Sequence, residues 1–341
     1  MKITFGSLAP HTRASVEARL AWLDDYNDRL VLDGDAHISD LAALPETAAG
    51  RLAAEPGYYH GRPISAEQLV AELDMAAVDA ALVWQNPAAT LRGPDEAENY
   101  EALLAANRYV HAAAERFPRR LIPAGWTDPR GLGLEGALKL VEICMREFGF
   151  AVVKMNPAQN RFPIDSAEVF AVVDRICALG GIPAFHVGGD TPFTPASGLA
   201  RIARHIAPRR LIAVHMGGGG SGYVEGEQLY HDIRALGLAQ PNLFFVQSAK
   251  RDTHIESDFI AYQSAGDSFA AHIAVGSDAP YGRVAWNFGG YRAMFASLAD
   301  ARHPDPRLRA RPGLFSGAAV RGYLGGNLAR LIADAYREWN G

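Results

Sequence analysis

The stretch VLDGDAHISD, residues 31–40, decides how the rest of the chain is read. A short apolar run, Leu30 to Leu32, ends in Asp33, Asp35 and His37. Alternate residues of an extended strand share a face, so these three are expected to point the same way where the strand runs out. A carboxylate and an imidazole two residues apart can both ligate one divalent ion. D-x-H is also short enough to arise by chance in a turn. Its meaning therefore depends on what later segments supply.

Working outward, short apolar runs alternate with longer segments of helical period. The expected strands are Arg29–Asp33, Ala80–Gln85, Leu121–Trp126, Ala151–Met155, Ile182–His186, Leu211–His215, Leu243–Gln247 and Ile273–Ser277. Most are continuously apolar rather than alternating, as parallel strands buried on both faces must be. Ser65 is placed to cap the first intervening helix, Asp95–Phe117 forms a long one, and Gly180-Gly181 closes another. Eight such units predict an α/β fold of the (β/α)8 TIM-barrel class, with residues 29–341 as a single catalytic domain. Residues 1–28 read as an N-terminal extension with a helix from Ser15 to Tyr26. An Arg-, Pro- and Asp-rich loop over 300–312 precedes an extra C-terminal helix, about Val320–Trp339.

A TIM barrel places its chemistry at the carboxyl ends of its strands. Of the eleven histidines, His37, His186 and His215 fall at the ends of the first, fifth and sixth strands, and Asp278 ends the eighth. Asp35, His37, His186 and Asp278 would thus converge as oxygen and nitrogen donors suited to a divalent transition metal. His215 would stand beside them. His111, His205 and His231 fall in outer helices, and His272 lies at the opposite end of the barrel, where a structural role is expected. His60 and His254 belong to upper-face loops, within reach of substrate. Cations follow several strands: Arg92, Lys154, Arg161, Lys250 and Arg251. They suit a carboxylated or otherwise anionic small substrate, and each also has the simpler reading of a solvated or structural charge. Trp84 and Trp126 could wall the pocket or fill the barrel.

These residues carry a resemblance. DGDAH at 33–37, VVKMNP at 152–157, FHVGG at 185–189, VHMGGG at 214–219, VGSDAPY at 275–281 and LGGNLARL at 324–331 resemble, in order, the amidohydrolase superfamily. More narrowly they resemble the amidohydrolase-related group that includes aminocarboxymuconate semialdehyde decarboxylase, resorcylate-type decarboxylases and dicarboxylate lactonases. The resemblance implies one divalent metal ion, zinc with manganese as the alternative, held by Asp35, His37, His186 and Asp278. It implies Asp278 and His215 as catalytic groups. Distant superfamily members carry a carboxylated, metal-bridging lysine at the place of Lys154. The narrower group usually holds a single metal, so Lys154 is expected to contact substrate, with Arg161, Trp84, Trp126, Arg251 and His254. The group commonly has H-x-H where this chain has Asp35-Ala36-His37, and some of its decarboxylases carry an acidic residue in that slot.

Exchanging an imidazole for a carboxylate adds one negative charge around the metal and weakens its activation of water. Hydrolysis of a lactone or amide through metal-activated water is the first expectation, because the superfamily is dominated by it. Non-oxidative decarboxylation is the alternative that Asp35 favours, hydration of a conjugated alkene a third, and a non-catalytic binding barrel the reading from a different class. Gly217–Gly222 formally matches G-x-G-x-x-G, but after the sixth strand rather than the first βα turn where a dinucleotide fold needs it. Its glycines are expected to let the loop pass close to the metal site.

With a net charge of −5 over 341 residues, nothing favours nucleic acid or an anionic membrane. The N-terminus lacks the apolar core of a secretion signal, and no stretch could span a bilayer. Cys144 and Cys177 read as reduced core thiols. The expected setting is cytoplasmic, the expected partner a small-molecule substrate, and a homodimer is compatible with the sequence.

Overall fold

The computed structural model describes residues 1–54, 61–90, 93–188, 192–218, 228–250, 252–311 and 313–340. Among the described residues nine parallel strands run in chain order: β1 Leu32–Ile38, β2 Ala80–Gln85, β3 Leu121–Pro123, β4 Gly125–Trp126, β5 Val152–Met155, β6 Ile182–His186, β7 Leu211–Val214, β8 Leu243–Gln247 and β9 Ile273–Val275. The first three form one sheet and the remaining six another. β3 and β4 are two halves of the third barrel strand, separated by Ala124, whose N–H still donates to the Val83 carbonyl of β2 at 2.9 Å. The ring closes between β1 and the end of β9. Ala36 bridges Ala279, the His37 N–H donates to the Ala279 carbonyl at 2.6 Å, and the Asp278 N–H donates to the Asp35 carbonyl at 2.8 Å. The fold is the TIM barrel expected from the sequence.

Local chemistry explains the helices between the strands. Ser65 and Gln68 form a reciprocal capping box at the start of Ala66–Met75. Ser166 caps Ala167–Leu179, and Gly180 ends that helix at φ 86°, a left-handed conformation that glycine adopts without steric penalty. Pro10–Tyr26 packs on the C-terminal helix Asn327–Trp339 through Arg19, whose guanidinium reaches the Tyr336 hydroxyl at 3.1 Å. Cys144 and Cys177 are free and buried.

One expectation fails in a way that matters. β1 does not stop at Asp33; it runs on to Ile38 and carries a bulge. Asp33 pairs with Ala81, Ala36 with Val83 and His37 with Trp84, so one extra residue is inserted in β1. The bulge breaks the alternation, and Asp33 and His37 lie on opposite faces rather than the same one. Gly34 permits this: a Cβ there would meet Val246 Cγ1 and the Val275 carbonyl, both at 2.9 Å. Gly276 is confined in the same way, its notional Cβ 2.9 Å from Asp35 Cβ. These two glycines let the strands that carry Asp35 and Asp278 close on each other.

Candidate metal centre

The bulge sends Asp33 and Asp35 to different tasks. Asp33 accepts from the Ser277 N–H at 2.8 Å, from the Ser277 hydroxyl and from the Asp35 N–H at 3.1 Å. It ties β1 to the segment after β9, and burial pushes its carboxyl up to about 7 against those hydrogen bonds. Asp35, fully buried, turns toward the barrel mouth. Its Oδ1 accepts from Trp84 Nε1 at 3.0 Å and pairs with Lys154 Nζ at 3.1 Å; its Oδ2 accepts from Ser248 Oγ at 2.9 Å. Burial opposes its charge, but Lys154, His215 and His37 together outweigh that penalty and hold the carboxyl below the usual range.

Three of the expected ligands, Asp35, His37 and Asp278, meet here together with His215, whereas His186 is placed against His215. Asp35, His215 and Asp278 each offer a ligand atom, all within 4.8 Å of one another. His37 Nε2 lies 3.6 Å from Asp35 Oδ1 and 3.5 Å from Asp278 Oδ1. Its Nδ1–H donates to the Gln85 carbonyl at 2.8 Å, which fixes the ring and turns Nε2 toward the two carboxylates. His186 stands edge-on to His215, with ring centroids 4.4 Å apart. Burial lowers both imidazoles, with Asp278 and Asp35 pulling His215 back up, so both are neutral and suited to metal binding. This donor set of carboxylates and neutral imidazoles, held in a buried cluster, fits a single divalent cation.

His215 is oriented through a short chain. The single hydroxyl proton of Ser248 goes to Asp35, so His215 Nδ1–H must be the donor in its 2.8 Å contact with Ser248 Oγ. That leaves Nε2 of His215 free of a proton. His215, Met216 and Asp278 have φ values of 75°, 46° and 56°, a left-handed region costly for residues with a Cβ. Their turns are braced from behind. Lys250 Nζ, buried, donates to the Met216 carbonyl at 3.0 Å and to Asp258. Asp258 also accepts from Arg234 and from Gln247 Nε2. Gly218 lets this loop approach β8, since a Cβ there would sit 2.8 Å from Lys250 Cβ.

Other expected residues fall as follows. Lys154 lies in a box of two indoles, 4.7 Å from the Trp84 ring and 5.3 Å from that of Trp126, with its ammonium on Asp35. Trp84 is thus a hydrogen-bond partner of Asp35 as well as barrel filling, and Trp126 packs edge-on to His37 at 5.9 Å. Arg161 ends the short helix Pro157–Asn160 at φ 56° and lines a different cavity with Arg130 and Phe162. His254 is not on a loop; it belongs to the helix Asp252–Ala265, its ring 4.1 Å from Tyr230. His60, Arg92, Arg251 and residues 219–222 of the glycine-rich stretch lie outside the described residues. The sequence reading missed Ser248, the Gln85 carbonyl and Tyr281, which stands edge-on to His37 at 5.8 Å. Ser248 directly follows β8, so the strand-end rule that selected His215 could have found it.

A TIM barrel with carboxylates and imidazoles gathered at its mouth is an arrangement that could hold a divalent metal ion. A family model described as amidohydrolase matches residues 32–327, and the chain belongs to that family. Among curated proteins none matches. Solved structures agree on the fold. A 5-carboxyvanillate decarboxylase from Novosphingobium aromaticivorans, complexed with manganese and 4-hydroxy-3-methoxy-5-nitrobenzoic acid, aligns with a TM-score of 0.63 at 14% identity over 90% of this chain and 96% of that one. A 2,6-dihydroxybenzoate decarboxylase from Rhizobium aligns at 0.60 with 14% identity, over 89% and 98%. An uncharacterised TIM-barrel protein from Bordetella bronchiseptica aligns at 0.61 with 15% identity, over 89% and 99%. Among the described residues no helix is long and apolar enough to cross a membrane.

Proposed function

We propose that this protein is a metal-dependent, non-oxidative decarboxylase of a small aromatic carboxylic acid. The observation that carries the reading is Asp35. It is a buried carboxylate held ionised in the slot where an imidazole is common, and it lowers the net positive charge available to make hydroxide from water. Hydrolysis asks most of that acidity, whereas decarboxylation asks chiefly for an anchored carboxylate and a proton. Two solved structures with this fold are of aromatic-acid decarboxylases, one holding manganese, which supports the alternative reading of the sequence over hydrolysis and manganese alongside zinc.

Asp35, His37, His186 and Asp278 would hold the ion, which when bound supplies positive charge to fix the substrate's carboxylate and a neighbouring oxygen. Lys154 keeps Asp35 ionised, and the Gln85 carbonyl keeps His37 aimed. The reaction breaks one C–C bond; its electron pair stays with the ring carbon, which takes a proton as CO2 departs. Asp278 and His215 are the groups placed to carry that proton: His215 Nε2, bare at rest, would first take a proton from solvent and then pass it to the ring carbon, with its ring fixed by Ser248. Incubation of manganese-loaded protein with hydroxylated benzoates, lactones and amides, with CO2 and acid release followed separately, tests the reading. CO2 from an aromatic acid is expected. Acid release from a lactone or amide without CO2 from any aromatic acid would overturn it.

A further inference from the structure

A cavity of about 210 Å³ lies between the ends of β1 and β2 and the helix Glu96–Arg116. None of the residues proposed to hold the metal is among its described lining. Ala102, Ala105 and Ala106, three and four residues apart on one helix face, make an apolar wall with Ile38 and Leu44. Ser39 and Asn86, the residues that directly follow β1 and β2, face the same space. Both are more than nine-tenths buried, yet neither Ser39 Oγ nor Asn86 Nδ2 has a hydrogen-bond partner in the protein. The orientation of the Asn86 amide is fixed. Its Oδ1 accepts from the Ala88 N–H at 2.9 Å and from the Tyr281 hydroxyl at 3.0 Å. A backbone N–H can only donate, so the atom it meets is the amide oxygen, and the unpaired atom is the NH2 nitrogen. The remaining polar groups of the wall are committed. Asp40 Oδ1 accepts from the Ala42 N–H at 3.0 Å, the Tyr109 hydroxyl accepts from the Ala66 N–H at 3.1 Å, and Thr90 Oγ1 donates to Gln85 Oε1 at 2.5 Å.

Two unpaired polar groups on one cavity wall are costly, and a ligand that supplies their partner removes the cost. Their chemistry limits that ligand. Asn86 Nδ2 can only donate, and the Ser39 hydroxyl can donate as well, so one oxygen with two lone pairs satisfies both. A carbonyl or a hydroxyl oxygen meets this need. An ionised group would lose its hydration against the alanine wall. Size sets the rest of the molecule: an apolar cavity of about 150 Å³ holds benzene, so this one suits a body of about six to eight heavy atoms. We infer that this cavity is a binding site, separate from the metal centre, for a small uncharged molecule with a compact apolar body and one carbonyl or hydroxyl oxygen, the oxygen received by Asn86 Nδ2 and Ser39 Oγ. The site holds whichever reaction the metal centre performs.

The test is a ligand-observed NMR titration of the full-length, manganese-loaded protein with cyclohexanone, cyclohexanol and methylenecyclohexane, the last having the shape of the ketone without its oxygen. The ketone and the alcohol are expected to bind about three- to tenfold more tightly than the hydrocarbon, the range of one neutral hydrogen bond. Ser39→Ala should lower that preference and leave hydrocarbon binding as it is. Its denaturation midpoint should be no lower than that of the wild type, because the hydroxyl removed is unpaired. Ala106→Leu fills the cavity with a good helix former and should abolish binding of all three probes; if it fails to fold, Ser39→Ala decides. Absence of ketone and alcohol binding, equal affinity for ketone and hydrocarbon, or a preference unchanged in Ser39→Ala would overturn the inference. So would binding that survives in Ala106→Leu.

Discussion

The two ends of this barrel put histidine to opposite uses. At the carboxyl end, His37 and His215 lie among two buried carboxylates, each ring fixed through Nδ1 so that Nε2 is available to the cluster. At the amino end, His272 precedes β9 and accepts through Nε2 from Arg210 Nη1 at 2.9 Å, next to the start of β7. Burial, and then the Arg210 charge, lower His272 to about 4. The upper rings are oriented to give a lone pair to something else, and the lower ring has already given its lone pair to the protein. Burial is common to both, so burial alone does not mark a functional histidine. Carboxylates gathered at the bare nitrogen do.

The sharpest way to break this contrast is Asp278→Asn, which removes a proposed ligand and proton carrier together. Turnover should fall by about 10²–10⁴, the usual size of a lost acid–base group; steady-state CO2 release checks it, and wild-type rates would remove Asp278 from the chemistry. Lys250→Met probes the brace behind the His215 turn. It leaves Asp258 buried with only Arg234 and Gln247, and loss of one partner from a buried ion pair costs about 3–5 kcal/mol. Denaturant unfolding should show a lower midpoint at an unchanged slope. Ser248→Ala takes the donor from Asp35 Oδ2 and the acceptor from His215 Nδ1, and should lower metal affinity or turnover by roughly 10- to 100-fold. An unchanged enzyme would make Ser248 a bystander.

The smallest effect is expected at the amino end. His272 has a folded-state value below the ordinary 6.5, so the unfolded chain binds the proton more readily. Its contribution to stability is complete above pH 6.5 and is lost as pH falls from there through about 4. The ring is only partly buried, so after allowance for solvent screening the contribution is about 1 kcal/mol. His272→Gln should flatten the pH dependence of stability over that window and leave metal content unchanged.

Most strand ends were legible because the strand is a continuous apolar run stopped by a polar residue, as at Phe185-His186; β1, which runs through Asp33, Asp35 and His37 to Ile38, is the exception. His37, His186, His215 and Asp278 come from that one rule and Asp35 from its spacing to His37; of these the fold gathers Asp35, His37, His215 and Asp278, with His186 against His215. What stayed hidden depends on closure. The bulge in β1 that separates Asp33 from His37 is set by the approach of Val246 and Val275 to Gly34, contacts more than two hundred residues away in the chain. The pairing of Lys154 with Asp35 arises across the barrel, and the carbonyl of Gln85 carries no side-chain signature. Asp258 lies in a helix whose sequence gives no sign of the buried lysine it meets.

We propose that the carboxyl-end cluster is a metal centre with His186 as a ligand and His215 as a proton carrier. Titration of metal-free protein with manganese, read calorimetrically for the wild type, His186→Ala and His215→Asn, tests it most directly. One ion per chain is predicted for the wild type, binding at least tenfold weaker in His186→Ala, and near-normal binding with slowed turnover in His215→Asn. Absence of manganese and zinc binding to the wild type, or equal loss in the two variants, would contradict the account.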